Sequence, residues 1–182
     1  STLLMEAARR SDPDLIRVLA AAGADVNARF RDGTTALVIA ITDPMQERPD
    51  VIRALIEVGA DVNTVTERDG MTPLMMAAEL NYRKQYPEIV RALIAVGADV
   101  NARNRNGQTP LMVAMVRKAD TETIEALVEA GADVNQRLED GTTALMIAVS
   151  DTNKDRWAVV KALIEAGADV NAESREGFTP LI

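Results

Sequence analysis

Gly23-Ala-Asp-Val-Asn27 recurs letter for letter at 59–63, 97–101, 131–135 and 167–171. A catalytic constellation completes its chemistry once, and copies placed elsewhere would lack their partners, so this recurrence points to architecture. A second echo interlocks with the first: Gly33-Thr-Thr-Ala-Leu37, Gly70-Met-Thr-Pro-Leu74, Gly107-Gln-Thr-Pro-Leu111, Gly141-Thr-Thr-Ala-Leu145 and Gly177-Phe-Thr-Pro-Leu181. From Gly33 to Gly70, Gly107, Gly141 and Gly177 the successive steps are 37, 37, 34 and 36 residues. Self-similarity at such a period marks a solenoid.

Within each period the Thr-Pro or Thr-Ala pair reads as a helix start. The Thr oxygen caps free amides of the first turn, and Pro or Ala suits the first helical position. A short helix follows, as in Leu74-Met-Met-Ala-Ala78. A longer second helix keeps its apolar residues at helical spacing: Ile89, Val90, Leu93, Ile94 and Val96 in one unit, Val51, Ile52, Leu55, Ile56 and Val58 in another. It closes at the glycine of GADVN, which can take the left-handed conformation that ends a helix. Asp and Asn, two and four residues later, suit a turn by bonding nearby backbone amides. The opening stretch is therefore the stop signal of the second helix and the start of a hairpin leading to the next unit.

Helix, loop, helix, hairpin, with Thr-Pro-Leu opening the first helix and GADVN closing the second, resembles the ankyrin repeat, whose signature is T-P-L-H-x-A over about 33 residues. The resemblance implies an all-α ankyrin repeat solenoid of helix-loop-helix units joined by β-hairpin-like fingers. It implies one domain over 1–182, with units at about 1–30, 31–67, 68–104, 105–138 and 139–174 and a partial unit at 175–182. Where the family has His after Thr-Pro-Leu, this chain has Met5, Val38, Met75, Met112 and Met146. In the family that His ties neighbouring units by hydrogen bonds, so an apolar contact must take its place here. The wording of Gly141–Ala148 resembles ankyrins of bacterial origin. Thr2–Ala8 has the first-helix pattern without a preceding hairpin, and Phe178–Ile182 stops inside one, which reads as a stretch of a longer ankyrin protein. Fingers are expected at one edge of the stack and the inter-helix loops at the other, with units about 10 Å apart.

Composition narrows the chemistry. Hydrophobic residues make up 47% of the 182 but aromatics only 3%, so the core must be built from Ala, Leu, Ile, Val and Met in closely packed helices. The chain has neither Cys nor His, which removes disulfides, thiolate metal sites and the commonest general base. A net charge of −8 disfavours a nucleic-acid partner held by overall charge. No apolar run approaches the roughly 20 residues of a membrane span. Asp151-Thr-Asn-Lys-Asp155 matches the first half of a calcium loop, but Arg156 stands where Gly is needed and Ala162 where the bidentate Glu belongs. The expectation is no enzyme, cofactor or metal, a monomer, and a compartment left unread with the cytoplasm as default.

Function can lie only where the copies diverge. From hairpin Gly to the Gly of GADVN the spans 33–59, 70–97, 107–131 and 141–167 are 26, 27, 24 and 26 residues, against about 23 in the pattern resembled. The additions fall in Thr42–Asp50, Leu80–Glu88 and Ser150–Trp157; surface loops tolerate insertions cheaply, and they also carry function. The aromatics all lie off the repeated core: Tyr82, Tyr86 and Trp157 in or beside the long loops, Phe30 at a hairpin tip and Phe178 after a hairpin Gly. Such residues either fold down over helix ends or anchor a partner.

The fingers concentrate arginine. Two residues before the hairpin Gly stand Arg31, Arg68, Arg105, Glu139 and Arg175, and two further back stand Arg29, Arg103 and Arg137. Two readings are open: a basic stripe that steers an acidic partner, or arginines that merely pair with Asp32, Asp69 or Glu176 beside them. The resemblance implies a protein partner taken by the fingers and the concave face of the first helices. Its candidate contacts are these arginines with Phe30, Leu138 and Phe178, and a second candidate surface is Tyr82, Tyr86 and Trp157. The alternatives are a regulatory or targeting part of a larger enzyme, channel or effector, and a small-ligand site between fingers.

Overall fold

The computed structural model describes residues 2–43, 49–80, 86–150 and 156–180. Among them are ten helices and no strand: α1 (Leu3–Arg9), α2 (Pro13–Ala21), α3 (Ala36–Thr42), α4 (Pro49–Glu57), α5 (Pro73–Glu79), α6 (Tyr86–Ala95), α7 (Pro110–Val116), α8 (Thr121–Glu129), α9 (Ala144–Ser150) and α10 (Arg156–Glu165). The odd-numbered helices start where the Thr signal places them. Thr2, Thr35, Thr72 and Thr109 accept the amides of Met5, Val38, Met75 and Met112 at 3.2–3.3 Å. Helices of seven residues are too short to persist alone, so packing must hold them.

GADVN ends the even-numbered helices by the mechanism its glycine suggests. Gly23, Gly59, Gly97, Gly131 and Gly167 all have φ between 87° and 93°. With the chain turned there, the next amide reaches back to close the helix: Ala60 to the Leu55 carbonyl at 2.9 Å and Ala98 to that of Leu93 at 3.0 Å. The Asp of each copy accepts the amide two residues on, as Asp61 does from Asn63 at 2.9 Å. The Asn differs from expectation. Its carboxamide bonds the next unit: Asn27 donates to the Gly59 carbonyl at 3.2 Å and accepts the Asp61 amide at 2.7 Å. Asn63, Asn101 and Asn135 do the same to the units that follow them. Val96 is also a correction, being half exposed: α6 has ended at Ala95, and the helical face that would have buried it no longer exists.

Helices pair in sequence, α1 with α2 through α9 with α10, and the pairs stack so that odd helices touch odd and even touch even. Alanines at the contact (Ala8, Ala40, Ala78, Ala114, Ala148) let the helices approach closely, while Leu4, Leu37, Leu74, Leu111 and Leu145 fill the centre. The residues in the histidine column are apolar ballast: Met5, Val38, Met75 and Met112 are buried and Met146 half-buried. The inter-unit polar ties run instead through the Asn ladder and through Arg17–Glu57, Arg53–Glu88 and Arg91–Glu129 on the even helices, at 3.0, 2.8 and 3.5 Å.

At the two ends of the stack, neighbouring positions of the odd helices are uncovered. Leu3 is 72% exposed where Ala36 is 1%, and Val149 is 41% exposed where Ile41 is 0%. The α7–α8 connection, Arg117–Asp120, is nearly as short as Arg10–Asp12 between α1 and α2, so the longer additions fall between α3 and α4, α5 and α6, and α9 and α10. Residues 44–48, 81–85 and 151–155 lie outside the described residues, and with them Tyr82, the calcium-like Asp151–Asp155 and the expected loop edge.

Candidate partner-binding surface

Each finger is a tight hairpin closed by two backbone bonds, one of them from the hairpin glycine amide back to the residue that starts the turn. Phe30 donates to the Thr34 carbonyl, Thr66 to Met71, Asn104 to Gln108, Leu138 to Thr142 and Ser174 to Phe178, at 2.9–3.1 Å. These bonds put Phe30, Thr66, Asn104, Leu138 and Ser174 in one row. The row one residue further along is therefore Arg31, Glu67, Arg105, Glu139 and Arg175. Bonds between fingers give the same register: the Glu67 amide donates to the Asp32 carbonyl at 2.9 Å, Arg105 to Asp69 at 2.9 Å and Arg175 to Asp140 at 2.8 Å.

Counting back from the hairpin glycine puts Arg68 in that row, and the backbone bonds correct it to Glu67. The second finger runs seven residues from Asn63 to Gly70, where the others run six from the corresponding Asn, and Arg68 is the added residue at the tip. Glu67 is thus a surface residue that glycine-based counting misses. Counting forward from the Asn of GADVN finds it. The row alternates in charge along its whole length, and all five side chains are exposed.

Of the acids near the finger arginines, Asp32, Asp69 and Asp140 are engaged by their own turns. Asp32 accepts the Thr34 amide at 3.0 Å, Asp140 accepts the Thr142 amide at 2.8 Å, and Asp69 accepts the Met71 amide and the Thr66 hydroxyl. These bonds hold the Asp32 and Asp140 carboxyls below their ordinary range. Arg31, Arg68, Arg103, Arg105 and Arg175 form no ion pair and no side-chain hydrogen bond within the described residues, in contrast to Arg17, Arg53 and Arg91 on the even helices. Arg29 and Arg137 serve the scaffold, donating to the Val65 carbonyl at 2.6 Å and the Glu173 carbonyl at 2.7 Å of the following finger.

The aromatics divide. Phe30 is half-buried and packs on the core, and Leu138 is half-buried. Phe178 is 58% exposed, and Trp157, in the first turn of α10, is 74% exposed. Tyr86 opens α6, its side chain outside the described residues. Between the third finger and helices α5 and α7 lies a groove of about 280 Å³ lined by Met71, Asn104, Gln108, Val113 and Arg117, its rim closed by Arg117 on Glu79 at 2.5 Å. A wider hollow of about 700 Å³ at the fourth and fifth fingers is walled by Arg137, Glu139, Glu173 and Arg175, with Leu138 its one large apolar side chain. Small-molecule pockets are lined mainly by apolar groups, so this hollow does not favour a small ligand. Among the described residues no helix is long and apolar enough to cross a membrane.

The family model "Ankyrin repeats (3 copies)" matches residues 1–66, 45–138 and 115–182, and the chain belongs to the ankyrin repeat family. Among solved structures it is similar to the crystal structure of the ankyrin repeat domain of Bcl-3, a unique member of the IκB protein family. The two share 28% identity at a TM-score of 0.83, over 100% of this chain and 76% of that one. No curated protein sequence matches.

Proposed function

We propose that this ankyrin repeat stack, acting as one domain over 1–182, is a protein–protein interaction module that takes its partner across the fingers and the concave face of the odd-numbered helices. The observation that carries the reading is the contrast between two sets of arginines. Arg17, Arg53 and Arg91 on the even helices are spent on inter-unit ion pairs, whereas Arg31, Arg68, Arg103, Arg105 and Arg175 stand exposed and form no ion pair or side-chain hydrogen bond among the described residues. Arginine held ready in this way pairs carboxylates in a planar, bidentate fashion and anchors interfaces. Arg29, Arg137 and the half-buried Phe30 and Leu138 keep the fingers in place and form their flanks; Phe178 offers an apolar contact at the concave end, and Trp157 with Tyr82 and Tyr86 a second surface. The partner presents acidic groups to the fingers, and the module is a monomer in dilute solution without affinity for nucleic acid.

The test is capture of the native partner from source cells by the wild-type chain and by two variants. Reversing Arg31, Arg68 and Arg105 to Glu is expected to weaken capture strongly and flatten its salt dependence. Reversing Arg53 and Arg91 to Glu lowers the melting temperature slightly and leaves capture intact. Loss from the second set alone would move the binding surface to the even helices and sink the proposal.

A further inference from the structure

The alternating row says what kind of protein segment fits the fingers. Resting on the reading above, we infer that the finger edge selects a partner segment whose charges alternate in sign at steps of about 10 Å. The segment sets acids against Arg31, Arg105 and Arg175 and bases against Glu67 and Glu139. Three observations meet here. The hydrogen-bonded register places the five residues in one row, the added Arg68 shifts Glu67 into it, and among the described residues no member of the row is held in an ion pair or a side-chain hydrogen bond, the charge of Arg175 being felt by Asp140 alone. Each finger is two chains wide, and chains in hydrogen-bonding contact lie about 4.8 Å apart, so equivalent residues of the joined fingers recur at about 10 Å; between the third and fourth fingers, which no backbone bond joins among the described residues, the packing distance of the helices beneath sets a similar step.

That spacing translates into sequence. On a partner helix, seven residues rise about 10.5 Å, so the complementary pattern is acid and base alternating every seventh residue. Glu67 and Glu139 then act as filters. A uniformly acidic segment meets two like charges within the row, and like-charge juxtaposition is how interfaces reject wrong partners. Each exposed pair is weak by itself, so selectivity comes from the row as a whole.

The experiment uses two labelled, alanine-rich 36-residue helical peptides and the full chain, with binding followed through the finger amides by NMR at low salt. One peptide carries Glu at positions 1, 15 and 29 and Lys at 8 and 22; the other carries Glu at all five. The wild-type chain is expected to bind the alternating peptide at least tenfold more tightly. The double variant E67R/E139R, both positions being exposed, is expected to reverse that order by a similar factor while its melting curve stays unchanged. Equal or tighter binding of the all-Glu peptide by the wild type overturns the alternation and leaves the fingers as the binding surface. If neither peptide shifts a finger amide, the alternation and the finger-based binding mode fall together.

Discussion

Asn63 holds the turn that carries Asp99 in the neighbouring unit: its Oδ1 accepts the Asp99 amide at 2.8 Å while its Nδ2 donates to the Gly97 carbonyl at 3.0 Å. Asp99 in turn accepts the amide of Asn101, whose carboxamide goes on to Gly131 and Asp133. A chain of alternating Asp and Asn therefore runs the length of the stack outside the apolar core. It takes over the inter-unit role that methionine and valine in the histidine column cannot fill.

Removing one link should be felt locally and only inside the stack. Asn63→Ala deletes two bonds between units and is expected to cost about 1 kcal/mol, since each exposed bond competes with water. Asn171→Ala, whose side chain ties no following unit among the described residues, is expected to cost almost nothing. Urea midpoints of the two variants check this, and equal midpoints would mean that the ladder is decoration.

Thr64 makes the opposite case. Its hydroxyl is buried in the second finger and is the one buried side-chain oxygen without a partner among the described residues. Stranding a polar group costs about 1–3 kcal/mol, so Thr64→Val, which keeps the shape and removes the hydroxyl, is expected to stabilise by about 1 kcal/mol. A lower melting temperature in that variant would show that the hydroxyl is bonded in solution.

The sequence reveals the fold far more fully than the site, and the reason is physical. Helix starts and stops depend on one residue and its own neighbours, as with Thr72 capping Met75 or Gly97 turning the chain after α6, and such local rules repeat in every copy. The finger register depends on which amide meets which carbonyl across the hairpin, and one added residue at Arg68 displaces it. Whether Trp157 lies down or stands out is likewise set by what surrounds it, and its surroundings come from other units. The Asn was legible as a turn residue, but its reach to the next unit appears only once the units are stacked.

Acid should loosen the fingers in a defined window. The carboxyls of Asp32 and Asp140 are held below their ordinary value, chiefly by the Thr34 and Thr142 amides. A group whose pKa is depressed on folding contributes stability above its unfolded value, about 3.9, and loses it as pH falls through the folded one. NMR titration is expected to place both carboxyls below 3.9, with exchange of the Thr34 and Thr142 amides rising only beneath that pH. Titration at the ordinary value would show that these turns do not depend on charge.

The fingers are not evenly joined. A Cβ added to Gly33 would sit 2.6 Å from the Val65 carbonyl oxygen, and one added to Gly141 3.0 Å from the Ser174 Cα, whereas at Gly107 nothing lies within 4 Å. The bond that joins Asp32 to Glu67, Asp69 to Arg105 and Asp140 to Arg175 has no counterpart between Asn106 and Glu139 among the described residues, and Arg103 lacks the cross-finger bond of Arg29 and Arg137. The third and fourth fingers are therefore separated by a seam. Both Gly33 and Gly107 have positive φ, at 83° and 72°, so alanine at either carries a backbone penalty of about 1 kcal/mol. Gly33→Ala must in addition push the second finger away, and overpacking of this kind costs about 1–3 kcal/mol more. Thermal melts are expected to rank Gly33→Ala clearly below Gly107→Ala, and amide exchange at Glu67 to rise in the former alone. Equal destabilisation by the two variants would close the seam and give every finger the same freedom.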